Sequence, residues 1–224
     1  MHRYLVDHIY TADPSAHVFE GKIYVYPSHD IEGGIPFNDN GDHFYMCDYH
    51  VLSMDSIEGK VTDHGSILHV NDVPWAKRQM WAPDAAQKNG KYYLYFPAKD
   101  HNDVFRIGVA ISDRPYGPFR AEPNCIPGSF SIDPAVFQDD DGEHFIYFGG
   151  LWGGQLQRWK TGTYELNDSE PLDHEPALCP KVAKLSGDML TFSEDPKDIV
   201  ILDNNGAPLT AGDHNRRYFE APWV

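Results

Sequence analysis

Three acidic residues, Asp13, Asp133 and Glu220, stand in one register of a motif that recurs along the chain. Convergent carboxylates have two ordinary uses. They hold a hard cation such as calcium, or they cleave a glycosidic bond. In hydrolysis one carboxylate takes a proton from an attacking water, while another, kept protonated by its surroundings, gives a proton to the leaving oxygen. A third raises the acid's pKa by like-charge repulsion and fixes its orientation. Separation sets the stereochemistry, because about 6.5–9.5 Å between base and acid leaves room for water and inverts the anomeric centre.

The motif that carries these residues is a β-hairpin with an acidic mouth. Its first copy runs from Asp13-Pro14-Ser15 through Gly21 in the turn to Ile23-Tyr24-Val25-Tyr26, the β-branched and aromatic run that a strand prefers. It returns from Ala82-Pro83-Asp84 through Asn89-Gly90 to Tyr92-Tyr93-Leu94-Tyr95. It returns again from Asp133-Pro134-Ala135 through Asp141-Gly142 to Phe145-Ile146-Tyr147, and a fourth copy opens at Glu220-Ala221-Pro222-Trp223. Asp84 lies two positions beyond the shared register and reads as a structural or supporting group.

Repeats of roughly 50 residues built from about four strands are the signature of β-propeller blades, with longer intervals absorbed by loops. The innermost strand of each blade lines the axis, so the residues that begin those strands converge on one opening. Further strands are expected at 44–49, 50–53, 67–70, 105–112 and, less regularly, 155–159, 183–185 and 199–201. Three blades and one strand of a fourth cannot close a ring, which predicts an incomplete propeller whose remainder is supplied elsewhere. A β-sandwich is the alternative architecture. The whole of 1–224 reads as a single, incomplete domain.

Composition narrows the partners. A formal net charge of −16 argues against nucleic acid and against an anionic membrane surface. Aromatic residues make up 13 % of the chain, which suits both strand pairing and a sugar-binding wall. Trp81, Trp152 and Phe37 are the candidate substrate-binding aromatics, with His29-Asp30 beside them in the first-unit loop, whereas Trp223 reads as core. Three cysteines without metal-site spacing, and a start without an apolar run, predict a reducing, cytoplasmic setting. The twelve histidines show no zinc-binding spacing, and Asp139-Asp140-Asp141-Gly142 reads as a hairpin tip.

The ordered set Thr11-Ala12-Asp13-Pro14-Ser15, Met80-Trp81-Ala82-Pro83-Asp84, Ser131-Ile132-Asp133-Pro134-Ala135 and Tyr218-Phe219-Glu220-Ala221-Pro222-Trp223 resembles the blade starts of glycoside hydrolase family 43. Ser112-Asp113-Arg114-Pro115-Tyr116-Gly117-Pro118-Phe119 is similar to that family's second-blade outer strand. The resemblance implies an all-β, five-bladed β-propeller, truncated here to about three blades plus the first strand of the fourth. It implies inverting hydrolysis of plant-wall oligosaccharides, releasing xylose or arabinofuranose. Asp13 would then be the general base, Asp133 the pKa modulator and orienter, and Glu220 the general acid. No cofactor is required for that chemistry, and a structural calcium on the axis is compatible with it. The competing functions are a sugar-binding propeller without catalysis and a related propeller hydrolase acting on other glycosides. The oligomeric state is left open.

Overall fold

A computed structural model describes residues 4–167 and 169–224. Each of the three complete hairpin units becomes one antiparallel sheet. The first is β1 (Tyr10–Phe19), β2 (Lys22–Glu32), β3 (Phe44–Met54) and β4 (Thr62–His69), hydrogen-bonded in that order. The second contains β5 (Ala76–Arg78), β6 (Asp84–Lys88), β7 (Lys91–Asp100), β8 (Phe105–Ser112) and β9 (Arg120–Ala121). Here β5 and β6 pair with successive stretches of one edge of β7. The third is β10 (Ala135–Gln138), β11 (His144–Phe148), β12 (Lys181–Lys184) and β13 (Lys197–Asp198). The chain is all-β; among the described residues there are three short 3-10 turns, and no helix is long and apolar enough to cross a membrane.

Turn chemistry explains the first two hairpins. Glu20-Gly21 and Asn89-Gly90 both place two successive residues at positive φ, with values of 52° and 75° in the first and 53° and 76° in the second. Such two-residue turns match the right-handed twist of the strands they join. The third tip is wider, and Gly142 at φ 84° closes it by donating its N–H to the Asp139 carbonyl at 2.8 Å.

Packing explains the apolar runs. On β2, Tyr24 and Tyr26 face the second sheet, whereas Val25 turns to the opposite face with Leu52 and Met54. On β7, Tyr92, Leu94 and Phe96 pack toward the first sheet, and Tyr93 and Tyr95 toward the third. A strand covered on both sides needs an unbroken apolar run, which is how Tyr92 to Phe96 reads. Buried phenols need partners. Tyr26 donates to the Pro115 carbonyl at 2.6 Å, Tyr49 to the Trp81 carbonyl at 2.6 Å and Tyr95 to the Met189 carbonyl at 2.8 Å.

The leading strands meet at one place, with β6 beside both β1 and β10. Asp84, 1 % exposed, bridges them. One carboxylate oxygen lies 2.5 Å from His17 Nε2 on β1, and the other accepts the Val136 N–H on β10 at 2.6 Å. The structural reading of Asp84 therefore matches its position.

Several expected strands differ. The two segments 44–49 and 50–53 form one strand, β3. Residues 155–159 form no strand. Gln155 sits at φ 66°, and its buried amide accepts the Phe105 N–H and donates to the Asp103 carbonyl, so the chain turns into a 3-10 segment at Leu156–Trp159. The pairing expected at 199–201 lies earlier, at Lys197–Asp198, and beyond it the chain keeps isolated contacts such as the Ile199 N–H to Pro180 carbonyl bond. Pro180, Pro196 and Pro208 each remove a ladder donor there. The fourth copy makes a single bridge, Gly150 with Glu220, and Trp223 is exposed with its ring beside His17 rather than in a core.

Removing the Asp84 carboxylate strands two partly buried partners at once. Asp84→Ala should cost about 3–5 kcal/mol, read as a lower urea midpoint. Asp113→Ala, whose ion pair with Lys91 is exposed, should leave that midpoint unchanged.

Candidate active site

Asp13, Asp133 and Glu220 line one cavity of about 430 Å³, at the end of the molecule where the leading strands begin. The backbone aims them there. Asp13 and Asp133 each precede a proline and take φ values of 45° and 56°, a left-handed conformation that is uncommon outside glycine. At Asp13 this breaks the β1–β2 ladder between Ala12 and Ser15, so the side chain leaves the sheet. In the fourth copy the left-handed residue before proline is Ala221, at φ 57°. Glu220 therefore enters the cavity from one residue earlier than the shared register predicts. Its position is fixed by the Gly150 bridge and by the Ala221 N–H, which donates to Asp133 Oδ2 at 3.1 Å.

The walls are aromatic. Phe37, Trp81 and Trp152 all line the cavity, as expected, together with Phe44, Leu151 and Phe219. Trp81 is held by its indole N–H to the Phe44 carbonyl at 3.0 Å and by an edge-on contact with the Phe44 ring. Gly41, at φ 67°, lies so close beneath Trp81 that a Cβ there would sit 2.5 Å from the indole. Trp152 is 49 % exposed, and its indole N–H donates to Glu170 Oε1 at 2.6 Å. Gly150 and Gly154 let this loop settle onto Ile132, and Ser131 Oγ ties both ends, accepting the Gly150 N–H and donating to the Gly154 carbonyl.

The loop that carries Asn38, Asp39, Gly41 and His43 into the cavity is clamped from the second sheet. Gln79 donates to the Gly41 carbonyl at 2.8 Å, and Arg78 to Asp42 at 2.7 Å. Lys99, 2 % exposed, lies 3.4 Å from Asp42 and over the Phe105 ring. Burial, aided by Arg78, pushes the Lys99 ammonium down to about 8 against the pull of Asp42.

Electrostatics distinguishes the three carboxyls. Burial, then Glu220 and Asp13, push Asp133 well above the usual carboxylate range, against the Ala221 N–H. Glu220 is raised by burial and by Asp13, and Asp13 by burial and by Asp30. Carboxyls this close titrate as a coupled set, each held above its ordinary range. Asp133 is half-buried and bonded to the backbone beside Glu220, whereas Glu220 and Asp13 are more open. The arrangement can take a proton at one wall and deliver one at another.

His29, expected beside Asp30 at this mouth, turns away. Asp30 lines the cavity, but His29 Nδ1 lies 2.8 Å from Asp48. His43, Leu151 and Met46 were not legible as lining residues, because the first two are brought there by the 33–43 and 149–154 loops and Met46 by its pairing with Asp30 near the start of β3, and none carries a repeat signature. Among the described residues, the cavity carboxylates form no group of three with ligand atoms all within 4.8 Å. They do not by themselves make a cage for the calcium that takes six to eight oxygens.

A carboxyl with a raised pKa in the folded chain binds its proton more tightly folded than unfolded, so it destabilises the fold once pH rises above the unfolded value. Asp133→Asn is therefore expected to raise Tm at pH 7 by at least about 2 °C, the shift that ~1 kcal/mol gives in a domain this large. The gain should disappear as pH falls through the ordinary carboxylate range, read by thermal melts from pH 3 to 8.

The family model described as glycosyl hydrolases family 43 matches residues 59–175. A "Xylosidase/arabinosidase" of Bacteroides ovatus is 58 % identical over 99 % of this chain, which spans 69 % of that relative. A "Beta-xylosidase" of Xylanibacter ruminicola is 47 % identical, again over 99 % of this chain and 70 % of the relative. Among solved structures, a β-xylosidase/α-arabinofuranosidase of the same family from a compost microbial metagenome, in complex with xylotriose and in calcium-free form, superposes with a TM-score of 0.95. It shares 63 % identity, over 98 % of this chain and 68 % of that one. With this agreement in sequence and fold, the chain belongs to glycoside hydrolase family 43.

Proposed function

We propose that this chain forms three blades and the first strand of a fourth in a five-bladed propeller, and that the enzyme removes xylose or arabinofuranose from short plant-wall oligosaccharides with inversion. The observation that carries this reading is the convergence of Asp13, Asp133 and Glu220, from three separate segments, on one aromatic-walled cavity. The relatives' names and the xylotriose in the compost enzyme support the substrate class.

Each residue takes the role its setting favours. Asp13, open to the cavity, accepts a proton from water as the water oxygen bonds to the anomeric carbon. Glu220, also open and raised by burial, gives its proton to the departing glycosidic oxygen as that bond breaks. Asp133 holds the Ala221 N–H and so positions the segment that carries Glu220, while the charge that resists ionisation of the acid is that of Asp13. Trp81, Trp152 and Phe37 supply apolar faces for the pyranose or furanose ring. An axial calcium would need ligands beyond these carboxylates. Three free cysteines fit a reducing compartment, and we place the enzyme in the cytoplasm.

The test is Glu220→Gln in the complete gene product. Turnover of xylobiose should fall by about 10²–10⁴-fold, and turnover of a dinitrophenyl xyloside, whose leaving group needs no proton, should fall far less. The alkaline limb of the pH–rate profile should vanish with the acid. Asp13→Asn should depress both substrates alike. Equal losses on both substrates in Glu220→Gln would overturn the acid assignment, and sugar binding by the unmodified protein without turnover would leave a binding propeller.

A further inference from the structure

Away from the cavity, the first sheet gathers His29, Asp48 and His50, whose ligand atoms all lie within 4.8 Å of one another. Asp48 and His50 are two residues apart on β3 and so share a face. His29 joins them from the irregularity in the β2–β3 ladder between Ser28 and Asp30. The group is shielded, with side-chain exposures of 23 %, 11 % and 12 %.

The lone pairs make the group unusual. His50 Nδ1 faces Asp63 Oδ1 at 3.1 Å, so in the neutral imidazole the N–H is directed there and Nε2 carries the lone pair. That Nε2 points at Asp48 Oδ2 from 3.7 Å, too far for a hydrogen bond. A lone pair facing a carboxylate oxygen is repulsive unless a proton or a metal ion lies between them. Two ligands bound tetrahedrally to zinc at 2.0–2.2 Å stand ~3.4 Å apart, close to the observed separation. The other oxygen, Asp48 Oδ1, lies 2.8 Å from His29 Nδ1 and would open slightly to admit the ion.

An outer shell is already in place. Asp63 accepts the Gly65 N–H at 2.8 Å and lies 2.8 Å from His8 Nε2 and 3.1 Å from His50 Nδ1. An ionised carboxylate behind a ligating imidazole fixes its tautomer and strengthens it as a donor.

We propose that His29, Asp48 and His50 form a binding site for a zinc-class transition-metal ion, with Asp63 as the outer partner of His50. Two imidazoles and one carboxylate suit zinc, cobalt or nickel and not the hard calcium or magnesium ions. Binding places the metal on His29 Nδ1, His50 Nε2 and Asp48, releases the proton shared by His29 and Asp48 to water, and leaves a fourth position for water. The ion would brace the β2 irregularity one residue from Asp30, which lines the hydrolytic cavity.

The experiment is calorimetric titration of chelator-stripped protein with zinc chloride, with calcium and magnesium chloride as controls. One zinc ion per chain is expected, with affinity falling as pH drops through the histidine range, since protons compete for the same nitrogens. His50→Ala should weaken binding at least tenfold and Asp63→Asn by about 10–100-fold. Should His50→Ala fail to fold, the ring nitrogens of His29 and His50 in the unmodified protein, followed by NMR, should shift on adding zinc. Absence of saturable binding, retention of full affinity in a folded His50→Ala, or unshifted His29 and His50 rings would overturn the site. None of these readouts depends on sugar hydrolysis.

Discussion

A carboxylate kept from water must be met by hydrogen bonds from every side, and Asp84 meets that demand by drawing on two neighbouring sheets. Its oxygens are taken by His17 of the first sheet and by the Val136 N–H of the third, so the three leading strands are held at fixed distances. Those strands also carry the reactive carboxyls. Asp13 lies four residues before His17, and Asp133 three before Val136. The contact that closes the centre of the fold therefore also sets how far apart Asp13 and Asp133 stand.

From that fixed centre, the backbone aims the side chains. Left-handed φ values at Asp13, Asp133 and Ala221 cost local energy, and they recur where each segment enters the cavity. Burial then raises all three carboxyls, aided by Asp30 at Asp13, by Asp13 at Glu220, and by both Glu220 and Asp13 at Asp133. The surrounding aromatics are held by their polar edges. The Trp81 and Trp152 indole N–H groups are bonded to the Phe44 carbonyl and to Glu170, so their faces are presented in fixed orientations. Such preorganisation removes the need to order the site as substrate arrives.

Much of this was legible in the residues themselves. The turn dipeptides at Gly21 and Asn89-Gly90 and the apolar run of β7 mark their strands, because a two-sided sheet leaves a strong pattern. The segment 155–159 misleads for the converse reason. Leu156 and Trp159 are apolar, but the Gln155 amide satisfies backbone groups of another loop, a contact that sequence periodicity does not record. Trp223 misleads as well, since a tryptophan in a strand-like run looks like core, and it is exposed beside His17.

By itself the sequence determined the sheets and the identity of the acidic leaders, since hairpin turns, strand alternation and the Asp-Pro repeat are local properties of the chain. It also pointed to family 43, through the order of those leaders. Tertiary structure alone decided that Glu220 enters one residue out of register, that Asp30 faces the cavity while His29 turns to Asp48, and that Asp133 underpins the segment carrying Glu220. Those outcomes depend on contacts across tens of residues, where a bulge or a single left-handed residue redirects a side chain. No pattern confined to neighbouring positions encodes that choice.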